Sequence, residues 1–265
     1  MSRPWLLLSL LLAGCAQQGV MQQPTTPEGS DAQYRAKTHT ELASGYFARA
    51  QYGVAMEEVT EALRADASYA PAYNMLGLVY MELREDKQAE QAFTRALSYS
   101  PMDSDAHNNY GWFLCSRNRF DESLKHFLAA VKNPLYTTPE KAFLNAGICS
   151  AKKGDDVGAE DFLLKALRAQ PQQPQALYNL AQLNFRQGRH AEARSYLSRY
   201  AQVASPTAES LWLGVRVEHK LGDRDAEAGY GRQLRKLFPD SAEAVLLQQG
   251  QYQTPESPQE REGNK

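Results

Sequence analysis

Between Ala70 and Ser104 the chain reads APAYNMLGLVYMELREDKQAEQAFTRALSYSPMDS, with small residues at Gly77, Ala89 and Ala96, a large apolar one at Phe93 and a proline at Pro101. The same arrangement recurs on both sides. One series of small residues runs Ala43, Gly77, Gly111, Gly147, Ala181, Gly214, and a second, twelve residues later each time, runs Ala55, Ala89, Ser123, Ala159, Ala193, Ala226. The steps are 34, 34, 36, 34 and 33 residues. A third series, Ala62, Ala96, Ala130 and Ala166, lapses to Tyr200 and Gln233. Between the second and third series stands a larger side chain: Val59, Phe93, Phe127, Leu163, Leu197 or Tyr230. Two antiparallel helices approach closely only where one offers Gly or Ala and the other fills the gap. Prolines at 101, 134, 171, 206 and 239 stop or nearly stop several units, because proline lacks the N–H and clashes with the preceding turn.

This pattern resembles the tetratricopeptide repeat, a helix–turn–helix of about 34 residues. One unit cannot bury its apolar face alone, so neighbours must stack. The expectation is an all-α protein, a right-handed superhelix of about six repeats over residues 31–247. The sixth repeat is degenerate, and a shift of one residue would also fit its second helix. A two-residue insertion falls in Asn133-Pro134-Leu135-Tyr136-Thr137-Thr138-Pro139. It need only bulge outward, leaving the superhelix continuous.

The N-terminus has a different character. Met1-Ser2-Arg3 precedes an apolar run from Trp5 to Ala13, broken only by Ser9. That run is too short to span a bilayer, which takes about 20 residues as a helix, and reads as part of a signal peptide over residues 1–14. Leu12-Ala13-Gly14-Cys15 resembles the bacterial lipobox, in which the cysteine is acylated and becomes the new N-terminus. The alternative is an ordinary secretory signal. Ala16 rather than Asp follows the cysteine, which by this resemblance implies the periplasmic face of the outer membrane. Residues 15–30, rich in Gln, Thr, Pro and Gly, are expected to form a tether, and residues 248–265 a disordered tail.

The 265 residues carry a net charge of −2, which argues against nucleic acid as a partner. Three cysteines, none in CxxC spacing, give neither a disulfide scaffold nor a zinc site. His39, His107, His126, His190 and His219 show no metal-binding spacing, and no nucleophile elbow or phosphate-cradling loop is present. Asp155, Asp156, Glu160 and Asp161 sit at an expected turn and helix start, where carboxylates cap free N–H groups; a calcium site is the weaker alternative. The Arg- and Lys-bearing helices look like solvated faces. No cofactor, metal or catalytic activity is expected.

Cys115 and Cys149 lie on the first helices of repeats three and four, which are neighbours in the stack. An oxidising periplasm favours a disulfide between them; the alternative is two separate thiols packed as small hydrophobes. By resemblance to other tetratricopeptide repeats, the concave face is lined by Phe47, Leu78, Met81, Trp112, Leu144, Ile148, Tyr178, Phe185 and Leu211, about half of which are expected to pack between repeats instead. Such a groove suits a helix or extended peptide from a partner. A grip on a peptide carboxylate by Lys and Asn is not supported in repeat one, where the matching residues are Thr40 and Ser44.

More specific stretches are Asn108-Asn109-Tyr110-Gly111-Trp112-Phe113-Leu114-Cys115, Asn133-Pro134-Leu135-Tyr136, Asn145-Ala146-Gly147-Ile148-Cys149, Ala208-Glu209-Ser210-Leu211-Trp212-Leu213-Gly214 and Lys236-Leu237-Phe238-Pro239-Asp240-Ser241. With the lipobox, they resemble the type IV pilus biogenesis and stability lipoproteins, the pilotins of the PilF/PilW type, from about Tyr34 to Val245. The resemblance implies a non-catalytic adaptor anchored in the outer membrane by acyl chains and carried there by the lipoprotein sorting machinery. Its partner would be the pilus secretin, and its soluble part a monomer. A tetratricopeptide scaffold for β-barrel assembly or peptidoglycan synthesis is the alternative, and a cell-wall enzyme a distant third.

Overall fold

The computed structural model describes residues 28–252, and among these every regular element is a helix. Six antiparallel pairs follow in order: α1 (Glu28–Phe47) with α2 (Tyr52–Ala65), α3 (Ala70–Glu82) with α4 (Asp86–Tyr99), and α5 (Ser104–Ser116) with α6 (Phe120–Lys132). Then come α7 (Pro139–Lys153) with α8 (Asp156–Ala169), α9 (Pro174–Arg186) with α10 (His190–Val203), and α11 (Ala208–Leu221) with α12 (Arg224–Leu237). A thirteenth helix, α13 (Ala242–Gln248), closes the array. Successive first helices (α1, α3, α5, α7, α9, α11) touch one another, whereas successive second helices do not. The stack therefore curves toward the first helices, which form its inner wall.

Close crossing within each pair explains the small residues. A Cβ added at Gly77 would lie 2.6 Å from the Phe93 ring, at Gly111 2.8 Å from Phe127, at Gly147 2.7 Å from Leu163 and at Gly214 2.7 Å from Tyr230. Ala55, Ala89, Ser123, Ala159 and Ala193 are fully buried on the second helices, and the Ser123 hydroxyl donates to the Gly111 carbonyl at 2.8 Å. A serine is tolerated there because its polar atom has a partner. The turn inside each pair requires a left-handed residue. Repeats four to six use Gly154, Gly188 and Gly222; repeats one to three place Ala50, Arg84 and Asn118 at φ near +60°.

The connection bearing Asn133 to Thr138 bulges outward, with Leu135 83% exposed, while α7 still packs on α5 and α6. The superhelix passes the insertion without a break.

Two boundaries differ from expectation, and in the sixth repeat the one-residue shift named as an alternative is seen at the third small-residue position. Helix α1 begins at Glu28, three residues into the expected tether. In the sixth repeat the buried position on α12 is Leu234 and not the exposed Gln233, a displacement of one residue, while Tyr230 still fills the gap at Gly214. The residues from Gln248 were expected to be loose, yet Gln248 ends α13 and Tyr252 stacks on His219, with ring centroids 3.9 Å apart. Helix α13 covers Leu211, Trp212, Val215 and Leu234, an apolar face that the last pair would otherwise leave to solvent. The signal-peptide segment, Cys15 and residues 253–265 lie outside the described residues.

Candidate partner-binding groove

The inner wall offers a discontinuous apolar surface. At its N-terminal end, Phe47 packs against Tyr52, with ring centroids 5.5 Å apart, and both join Leu78 on the core of repeats one and two. Leu78 also touches the next core, where Met81 lies beside it. All three keep part of their surface exposed. Trp112 on α5 is half-buried and carries the Lys152 ammonium 5.3 Å from its ring centroid. Further along, Ile148 and Phe185 line a cavity of about 380 Å³ between α7, α9 and α11. Tyr178 is half-buried against the same core as Phe185, and burial pushes its hydroxyl up to about 12. Leu144 and Leu211 are not groove residues. They are 8% and 3% exposed and fill the cores between neighbouring repeats. Their position on the first helix is occupied by Asn in repeats two and three; leucine there turns into the stack because burial of an aliphatic side chain is worth about 1.5–3 kcal/mol.

The cavity is not purely apolar. Lys152, Arg186 and Arg216 contribute cationic groups to its lining, together with Asn179 and Gln182, and no carboxylate lines it. Arg186 pairs with Asp156 at 3.0 Å. Arg216 lies with its guanidinium 4.4 Å over the Phe185 ring; its Nε is buried without a hydrogen-bond partner, and burial draws its pKa below the ordinary guanidinium value. These basic side chains were expected on solvated faces. Lysine and arginine periodicity alone cannot tell an outer from an inner helix face, and the signal that separates Arg216 is its place four residues after Trp212 on the apolar side of α11.

Two side-chain ladders run between inner helices. Asn109 donates to Asn74 at 3.2 Å and Asn145 donates to Asn108 at 3.0 Å. Cys115 and Cys149, both buried, bring their Cα atoms to 5.8 Å, within the span a disulfide bridges. The four acidic residues at the start of α8 each have a local task. Asp155 caps the helix by accepting from the Gly158 N–H at 2.9 Å, Asp156 and Glu160 pair with Arg186 and Arg189 of the next repeat, and Asp161 pairs with Lys165. Among the described residues no three His, Cys, Asp or Glu side chains converge as metal ligands, and no helix is long and apolar enough to cross a membrane.

The tetratricopeptide-repeat profile matches residues 74–136, 116–174 and 156–209. The type IV pilus assembly protein PilF of Pseudomonas aeruginosa is 32% identical over 237 residues, spanning 89% of this chain and 93% of the relative. The chain belongs to the PilF/PilW family of type IV pilus biogenesis proteins. Solved structures agree. The crystal structure of PilW, described as a widely conserved type IV pilus biogenesis factor, superposes with a TM-score of 0.74 at 36% identity, over 80% of this chain and 98% of PilW. The P. aeruginosa PilF structure gives 0.75 at 30% identity, over 83% and 99%. The PilF/PilW relationship therefore extends through all six pairs and is not confined to a shared repeat.

Proposed function

We propose that this protein is a pilotin: a lipid-anchored adaptor at the periplasmic face of the outer membrane that binds the type IV pilus secretin and promotes its outer-membrane localisation and multimerisation. The observation that carries this reading is the near end-to-end correspondence with a type IV pilus assembly protein, on a scaffold whose inner face forms a groove. Support for the anchor comes from Leu12-Ala13-Gly14-Cys15. Several acyl chains hold a protein on a membrane far more firmly than one, at roughly 0.8 kcal/mol per buried methylene. The anchor hands the protein to the lipoprotein sorting machinery, and the groove carries a secretin subunit as cargo. Gathering subunits on one surface raises their effective concentration for assembly. The soluble part acts as a monomer, and Cys115–Cys149 is a disulfide in the oxidising periplasm.

Fractionating membranes and running the secretin on gels that preserve its multimer tests the reading. A deletion strain should lose the multimer and outer-membrane secretin; unchanged secretin would overturn the assignment and turn the search to barrel-assembly and cell-wall partners. Cys15→Ser separates delivery from assembly, since multimer stranded in the inner membrane means that acylation serves delivery. The first repeats, nearest the anchor, make the main secretin contact in this scheme. Phe47→Ala or Leu78→Ala should then reduce multimer, and normal multimer in both would remove that detail.

A further inference from the structure

The groove is asymmetric in charge. Around Met81 the surface carries charges of both signs, Glu82 and Asp86 beside Arg84 and Arg117, whereas the cavity between α7, α9 and α11 presents Lys152 and Arg216, neither of which forms an ion pair among the described residues. Arg216 is the sharper case. Its guanidinium carbon sits 4.4 Å over the Phe185 ring centroid, its Nε is shut away from solvent with nothing to donate to, and no carboxylate lines the cavity beside it. A half-buried cation without a counter-charge is unfavourable in the free protein, because desolvation is not compensated. The arrangement becomes favourable when a ligand supplies the missing charge. A guanidinium fork matches a carboxylate with two parallel hydrogen bonds, and the Phe185 ring beneath Arg216 restricts where that fork can move.

We infer that the concave face of repeats four to six holds a carboxylate-accepting subsite centred on Arg216 and assisted by Lys152, which takes an Asp or Glu side chain of an extended partner segment. A side chain fits better than a chain terminus, because Lys152 on the cavity wall also lies 5.3 Å from the Trp112 ring, so a segment bound in the cavity can run on along the inner wall toward repeat three. Apolar residues of the segment would rest on Ile148 and Phe185 while its acid meets Arg216. This deepens the groove reading above and rests on it in one respect only, that an extended partner segment occupies the inner face.

The test uses the full chain in detergent micelles and two pools of fluorescent peptides of about ten residues, the length of an extended segment in a groove. Both pools are acetylated and amidated at their ends and degenerate at apolar positions. One carries Asp and Glu at its polar positions, the other Asn and Gln. Anisotropy should show the acidic pool binding about tenfold more tightly, as expected for one charge-assisted pair, with the difference shrinking as salt rises. Arg216→Gln should erase the preference while leaving the amide pool unchanged, and Arg216→Lys should keep part of it, which shows that the site still folds. Equal affinity for the two pools, an undiminished acid preference in Arg216→Gln, or binding of neither pool overturns the inference. So does an acid preference that emerges only after residues 253–265 are removed, since the chain's own C-terminal segment would then fill the site. The pilotin assignment fails on unchanged secretin in a deletion strain, so the two failures are visible separately.

Discussion

Gly77 and Phe93 show how a single missing Cβ sets the distance between two helices. Gly77→Ala should destabilise the protein by about 1–3 kcal/mol, since the ring must leave its rotamer or the helices must part; Phe93→Leu in the same chain should recover part of the loss in urea unfolding. The left-handed turns make the opposite forecast. Ala50 and Arg84 adopt φ of 56° and 61° where the later repeats use glycine. Arg84→Gly should therefore raise stability by about 0.5–1 kcal/mol, the balance between relief of Cβ crowding and the extra entropy of glycine. His126 gives a pH forecast. Burial, then the neighbouring His107, whose Nδ1 lies 2.9 Å away, brings its pKa from 6.5 to about 4. The folded state thus favours the neutral ring. Its contribution is complete above pH 6.5 and is lost as pH falls toward 4, by on the order of 1–3 kcal/mol after solvent screening. Thermal melts over that range should steepen for the native chain and flatten in His126→Phe.

Among the helices, neighbouring repeats are held by more than apolar contact. The first turn of a second helix pairs with the end of the next first helix at Asp86–Arg117, Asp121–Lys153 and Asp156–Arg186. Most of these pairs are half-exposed, so each is worth at most about 1 kcal/mol. Arg194 is different, because its partner Glu218 is only 4% exposed. Arg194→Met should cost about 1–3 kcal/mol by leaving a buried carboxylate unpaired, and Arg194→Met with Glu218→Leu should restore much of it. The Cys115–Cys149 link joins α5 to α7 across a separation of 34 residues. Removing both cysteines, or reducing them, should lower stability by about 3–4 kcal/mol on the loop-closure account. Helix α13 was not anticipated from the repeat, since seven residues at the end of a polar stretch carry no repeat signature, and it exists because the last pair needs a cover.

For the whole molecule, stability is a chain of nearest-neighbour interfaces. Hydrogen exchange should be slowest in α5 to α8, where the cysteine link lies in the middle of the stack, and fastest in α1 and α13, which among the described residues have a neighbour on one side only. The repeat architecture and the pairing of small with large residues were legible in the sequence, because a 34-residue period is imposed by the local need of two helices to cross closely. Resemblance to other tetratricopeptide repeats placed Phe47, Leu78, Met81, Trp112, Ile148, Tyr178 and Phe185 on the inner helices, where each retains an exposed edge. Periodicity could not separate Leu144 and Leu211 from them. Whether a side chain on the inner helix meets solvent or the next repeat depends on the rotation between repeats, which is a sum over all interface contacts and has no local signature. The cavity belongs to the same class: Lys152, Arg186 and Arg216 come from three different repeats, and their shared charge exists only once α7, α9 and α11 are stacked. By itself, then, the sequence determined the repeat and the helix pairs, consequences of short-range spacing, and the family, through the resemblance of its more specific stretches. The tertiary structure alone decided which groove residues are accessible, where the array is capped and where its unpaired positive charge gathers, because those follow from how successive repeats are turned against one another.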